Sequence, residues 1–194
     1  MLNRLKLELI KLLLNFLSDT FIERLVIQDQ ITSFDCGVPD LNEFLKDDAV
    51  NYLMQLIGVT YLIKPKSNED KIVSYFTVSN DNLSDEGYKD WKKTRRLLNK
   101  SIPHKKLRKE YPAVKIGRFA VCKELERTGL GTSIMNFIKY WFTAKNKTGC
   151  KYIIVDSKNN ICALNFYKKN GFDFLTSHDE NDLTRSMYYD LKKY

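Results

Sequence analysis

A chain of 194 residues, 43% of them hydrophobic, is long enough for one domain that buries most of its apolar surface. Its four cysteines (Cys36, Cys122, Cys150, Cys162) form no CxxC pair and stand with only two histidines, which argues against a disulfide framework or a zinc site and predicts reduced thiols in a cytoplasm. The formal charge of +8 is concentrated: Trp91 to Lys109 holds nine basic residues (Lys92, Lys93, Arg95, Arg96, Lys100, Lys105, Lys106, Arg108, Lys109) and no acid, and the remaining 23 bases face 24 acids, a local footprint suited to a polyanion.

Leu2, Leu5, Leu9, Leu12, Leu13 and Phe16 recur at helical spacing and predict an N-terminal amphipathic helix extension over residues 1–20 that covers its own domain or a partner subunit. Arg4, Lys6, Glu8 and Lys11 interrupt it too often for a membrane span, and no small-residue cleavage site follows. Residues 21–194 are expected to form a single domain with a basic insert over 88–110.

Phe21 to Ile27 predicts the first strand, and Pro39 and Asp40 open a helix that runs to about Gln55. Ile57 to Ile63 and Lys71 to Val78 are rich in β-branched and aromatic residues, with Ser67-Asn68-Glu69-Asp70 as the turn of an antiparallel hairpin. The basic stretch ends at Ser101-Ile102-Pro103. Pro112 to Val121 follows as the central strand, and Leu130, Ile134, Phe137, Ile138, Trp141 and Phe142 trace the core face of a helix. Lys151 to Val155 is a short buried strand, Asn160 to Lys169 a helix, and Phe172 to Leu175 and Arg185 to Leu191 are the last strands. The order β-α-α-β-β-β-α-β-α-β-β predicts an α/β (α+β layered) domain with a mixed sheet.

Gly129 and Gly131 bare the backbone where a helix begins, so amide N–H groups without intrahelical partners and the positive dipole end suit an anion such as pyrophosphate. No Lys-Ser or Lys-Thr follows Gly131, and Ile134 stands where a dinucleotide fingerprint needs a third glycine. A phosphate-bearing cofactor is expected, and neither metal nor flavin is implied.

The strand and loop from Lys115 to Ser133, together with the block from Val155 to Phe172, resemble the GNAT superfamily of acetyl-CoA-dependent N-acetyltransferases. The resemblance implies a mixed, mostly antiparallel sheet flanked by helices, with acetyl-CoA held where two parallel strands splay apart. It implies that Phe119, Ala120 and Val121 bond the pantetheine arm, and that the Val121 N–H stabilises an oxyanion. The family's Q/R-x-x-G-x-G/A loop falls on Glu126-Arg127-Thr128-Gly129-Leu130-Gly131, with Thr132 next. Glu126 departs from the pattern, so its side chain is expected to turn outward while Arg127 supplies the cation. The pattern N-x-x-A-x-x-F-Y-x-x-x-G-F is met by Asn160, Ala163, Phe166, Tyr167, Gly171 and Phe172. Asn160, Ala163 and Phe166 thereby join the cofactor set, and Tyr167 is the implied general acid.

Phe34-Asp35-Cys36-Gly37, Leu41-Asn42-Glu43-Phe44-Leu45, Ser101-Ile102-Pro103 and Ile116 to Val121 are similar to the GNAT toxins of bacterial toxin–antitoxin pairs, which acetylate the α-amine of aminoacyl-tRNA; Cys122 stands where those toxins usually carry aspartate. This branch implies tRNA contacts at Arg118, Arg95 and Arg96, an antitoxin protein partner, and a homodimer as one form of assembly. Ala113 to Lys123 holds no acid to serve as general base. An α-amine of pKa about 7.7 to 8 needs far less help losing its proton than an ε-amine near about 10.4. Other acceptors in view are a protein N-terminus, a protein lysine or a small amine. The reading from another class is a catalytically inactive GNAT-shaped module that binds RNA or a partner protein.

Overall fold

The computed structural model describes residues 16, 18–31, 33–84, 110–144 and 148–194. Outside the described residues lie the expected N-terminal helix apart from Phe16 and Ser18 to Thr20, of which Thr20 already belongs to a strand, and the basic stretch with Arg95, Arg96 and the Ser101-Ile102-Pro103 stop.

The apolar runs flanking Ser67 to Asp70 form the expected hairpin. Strands β1 (Thr20–Arg24), β2 (Val59–Pro65) and β3 (Ser74–Leu83) pair antiparallel, with Val59 opposite Val78 and Ile22 opposite Ile63. β1 stops at Arg24 and not at Ile27, because the Val26 N–H donates to Asp29 Oδ2 at 2.8 Å and the Asp29 N–H returns to the Val26 carbonyl at 3.1 Å, closing a turn. The helix expected from Pro39 to Gln55 is interrupted. Helix α1 (Pro39–Glu43) passes into a wide turn over Phe44–Asp48, where the Ala49 N–H reaches back five residues to the Phe44 carbonyl, and then into α2 (Ala49–Met54).

After β4 (Tyr111–Val121) come α3 (Leu130–Thr143), β5 (Tyr152–Lys158), α4 (Ile161–Lys169), β6 (Asp173–Phe174) and β7 (Thr184–Asp190). The sheet has seven strands in the order β1-β2-β3-β4-β5-β7-β6. β4 and β5 are parallel, with Ala113, Val114 and Lys115 opposite Tyr152, Ile153 and Ile154, while β7 runs antiparallel to β5 and β6. A mixed, mostly antiparallel sheet with flanking helices is therefore the architecture. No helix among the described residues is long and apolar enough to cross a membrane.

Contacts divide the chain into two units, Met1–Ser79 with Ile116–Tyr140, and Asn80–Lys115 with Trp141–Tyr194. In the first, Leu25, Leu45, Ile63, Tyr75, Phe76, Ile134, Met135 and Ile138 are fully buried. In the second, Leu83, Tyr111, Ala113, Tyr152, Ile154 and Leu175 form a core against which Tyr188 packs. The buried face of α3 is turned from the predicted one: Met135, Asn136 and Lys139 join Ile134 and Ile138 inside, whereas Trp141 is 36% exposed. The Phe16 ring lies 6.4 Å from that of Phe137, so Phe137 of the predicted face is met from the N-terminal side of the chain.

Candidate functional site

In the first unit the end of β4 is tied to β3 on one side only. Ser74 Oγ donates to the Ala120 carbonyl at 2.5 Å, and the Cys122 N–H donates to the Val73 carbonyl at 2.9 Å. Successive peptide groups of an extended strand point to opposite sides, so the Val121 N–H between them points away from β3. That leaves the Val121 N–H outside the pairing with β3. The same geometry finds Ser74, a fully buried hydroxyl that no sequence motif marks.

Past Val121 the chain makes a tight turn over Lys123–Leu125, then a loop whose backbone is unusual twice, at Arg127 (φ 60°) and Gly129 (φ 94°). Glycine adopts this left-handed conformation without cost, and arginine does not. Thr128 Oγ1 donates to the Leu125 carbonyl at 2.7 Å and accepts from the Leu130 N–H at 3.4 Å, and the first helical bond runs from the Ser133 N–H to the Gly129 carbonyl at 3.0 Å. Among the described residues the amides of Gly129, Gly131 and Thr132 make no hydrogen bond. Three bare donors at the start of a 14-residue helix form a receptor for an anion. Glu126 and Arg127 beside this turn are both exposed.

Arg118, for which the resemblance implies a tRNA contact, sits within β4. Its guanidinium lies 5.0 Å from the Phe44 ring centroid, with Nη1 donating to its neighbour's Gly117 carbonyl at 2.9 Å. Nε is buried without a partner, and no carboxylate of the described residues pairs with it. The wide turn that begins at Phe44 presents this ring, which also stands 5.0 Å from Tyr52 and 6.3 Å from Tyr75. Asn42 braces the segment before the turn, accepting from the Cys36 N–H at 2.9 Å and donating to Asp35 Oδ1 at 2.8 Å.

In the second unit, Asn160, Ala163, Phe166 and Tyr167 all sit on α4 or at its entrance. The Asn160 side chain is the N-cap, accepting from the Ala163 N–H at 2.9 Å. Its oxygen thus has a structural task that the motif alone did not reveal. At the other end Gly171 (φ 81°) ends the helix: its N–H donates to the Lys168 carbonyl at 2.9 Å and the Phe172 N–H to the Tyr167 carbonyl at 3.0 Å. This double closure is completed by an apolar contact, with the rings of Tyr167 and Phe172 5.4 Å apart. The strand expected from Phe172 shrinks to Asp173–Phe174 because Phe172 serves the cap. Tyr167 is 9% exposed, lies edge-on to Phe166 at 5.2 Å, and has its pKa raised by burial. It therefore holds its proton throughout the physiological range.

Residues 100–173 match the family model described as "Acetyltransferase (GNAT) domain", which spans both sequence blocks discussed above. Among solved structures, a mutant of KacT superposes with a TM-score of 0.70 at 22% identity, covering 90% of this chain and 96% of that one. AtaT complexed with acetyl-methionyl-tRNAfMet gives 0.66 at 25% identity, over 90% and 96% of the two chains. A mutant AtaT toxin bound to the C-terminus of the antitoxin AtaR and acetyl-CoA gives 0.64 at 23% identity, over 90% and 95%.

Proposed function

Starting from a chain that carries a GNAT acetyltransferase domain, we propose that it transfers acetyl from acetyl-CoA directly to a primary amine, the α-amine of an aminoacyl-tRNA. The observation that carries the cofactor is the row of bare amides at Gly129, Gly131 and Thr132, which fits a pyrophosphate. Arg127 and Thr128 flank it, and Leu130 opens the helix behind it. Phe119, Ala120 and Val121 line the pantetheine arm, and Ala163 and Phe166 present the apolar side of α4 to the cofactor.

Acetyl-CoA supplies an acetyl group activated as a thioester. The amine nitrogen forms the new C–N bond, and the Val121 N–H donates to the carbonyl oxygen as charge builds there. Tyr167 gives its hydroxyl proton to the sulfur as the C–S bond breaks, the amine proton leaves to water, and water returns a proton to the tyrosinate before the next turnover. An α-amine is already largely neutral near pH 8, so β4 needs no carboxylate, and none stands in Ala113 to Lys123. Arg118, which pairs with no carboxylate among the described residues, contacts the RNA, and the insert over 88–110 adds Arg95 and Arg96. An antitoxin protein is the expected partner. The AtaT complex with acetyl-methionyl-tRNAfMet supports this acceptor. Free thiols at Cys36, Cys122, Cys150 and Cys162, the last exposed, suit a reducing bacterial cytoplasm.

The test is transfer of labelled acetyl to charged tRNA, run beside histone peptides and polyamines, with Lys/Arg→Glu changes in Trp91 to Lys109 as control. We expect label on aminoacyl-tRNA, falling steeply with added salt as phosphate contacts release counterions. Label confined to peptides or polyamines keeps the transferase and discards the tRNA. RNA binding with no transfer to any amine would instead favour an inactive module.

A further inference from the structure

The entrance to α4 is fastened to a loop that no motif marks. Asn159, one residue before the N-cap, donates through Nδ2 to the carbonyls of Glu180 (2.9 Å) and Asp182 (2.8 Å), and through its N–H to the Leu183 carbonyl (3.0 Å). All three acceptors belong to the connection between β6 and β7. That loop is braced in turn. Arg185, 7% exposed, donates Nε to Asp179 Oδ1 at 2.6 Å and Nη2 to the Thr176 carbonyl at 3.3 Å. Asp179 Oδ2 accepts the Ser186 N–H at 2.7 Å, and the Arg185 guanidinium lies 4.1 Å from the Phe174 ring centroid. A buried pair in which both Asp179 oxygens accept and Arg185 bonds through Nε and Nη2 holds one geometry, because any rearrangement strands a charge.

Asn159 hands this rigidity to the helix. The next N–H, that of Asn160, donates to the Lys158 carbonyl at 2.8 Å, and its side chain then caps α4. Phe172 pins the far end. The near end therefore sets the roll and tilt of α4, and with them the direction of the Tyr167 hydroxyl. Tyr167 lies near the pinned end, so slack at the corner reaches it as a roll about the helix axis; with the hydroxyl about 8 Å off that axis, a roll of ~7° displaces it by about 1 Å. A displacement of that size costs up to about 100-fold in rate at a reacting group.

We propose that Asn159 is a positioning residue for acetyl transfer, anchoring α4 to the Arg185–Asp179 loop so that the Tyr167 hydroxyl points at the leaving sulfur. This rests on Tyr167 as proton donor. Asn159→Asp keeps the shape of the side chain but sets a carboxylate oxygen against two carbonyl oxygens. The expected result is a fall in kcat of roughly ten-fold or more with KM for the acceptor within about two-fold, a split that marks lost alignment and not lost binding. In a Tyr167→Phe background the same change should cost less than about two-fold, since nothing is left to align. Amide exchange at Ala163 and Leu164 should quicken. Equal losses in both backgrounds, or unaltered exchange, would overturn the proposal. A Tyr167→Phe enzyme as fast as wild type would remove the proton donor itself, and the positioning role with it, which additive losses would not do. Should Asn159→Asp not fold, Asn159→Ser, which keeps one donor, carries the same cycle.

Discussion

A phenol proposed to protonate a departing thiolate must arrive with its proton, and the burial of Tyr167 against Phe166 and Phe172 raises its pKa above the ordinary value of about 10. The ring and the hydroxyl have separable tasks. The ring closes the end of α4 with Phe172, whereas the hydroxyl makes no hydrogen bond among the described residues. Tyr167→Phe therefore keeps the packing and removes only the proton. The expected outcome is a loss of kcat of about 100-fold or more, with thermal stability nearly unchanged. Steady-state kinetics beside a melting curve checks both, and a Tm drop of many degrees would show that the hydroxyl has a structural partner after all. Arg118 teaches the complementary lesson. A cation inside a strand calls for compensation, and the form it takes is a ring supplied by Phe44, 74 positions earlier in the chain. Only the wide turn at Phe44–Asp48 brings that ring there.

Two glycines with left-handed backbones separate function from stability at the level of the element. At Gly171 (φ 81°) a Cβ would stand 3.2 Å from the Tyr189 ring, inside a helix cap whose next residue is fully buried; at Gly129 (φ 94°) it would meet nothing within 4 Å. Gly171→Ala should then cost roughly 1–2 kcal/mol, lowering Tm by about 3–6 °C, because neither the strain nor the contact can relax. Gly129→Ala lies in an exposed loop that can shift to shed its strain, and the shift misaligns the bare amides. Its expected signature is a Kd for acetyl-CoA raised about ten-fold, by calorimetry, with a smaller change in Tm. Element order, the hairpin and both motif blocks were legible because apolar period, turn residues and glycines are local signals. What escaped was set by contacts distant in sequence. The burial of Lys139 and Asn136, the split of the first long helix, and the Asn159 anchor each depend on a partner that periodicity cannot name.

Charge organises the whole molecule in two ways. Outside Trp91 to Lys109 acids and bases balance, and in the described residues they are paired off across the surface, as in Lys64–Glu23 (2.6 Å), Lys115–Asp156 (2.7 Å) and Lys151–Asp190. The basic stretch is then the source of the protein's long-range field. Burial, by contrast, ties stability to alkaline pH through groups of opposite behaviour. Lys139, 4% exposed, has its pKa lowered to about 8 by desolvation, while an unfolded lysine titrates near about 10.4. Between those values the unfolded chain binds the proton and the folded chain does not, so stability rises with pH from about 8 toward about 10. The tyrosines oppose it. Burial raises Tyr75, Tyr152 and Tyr167, and carries Tyr189 up to about 12. Above about pH 10 the unfolded chain loses phenolic protons that the folded chain keeps, and stability falls as pH climbs through that range. The melting temperature should accordingly pass through a maximum on the alkaline side of neutrality. Lys139→Met should flatten the rising limb and leave the falling limb in place. Melting curves of both proteins from pH 7 to 11 decide the matter: parallel profiles between pH 8 and 10 would mean that Lys139 keeps its proton inside the fold, held by a partner strong enough to offset its desolvation.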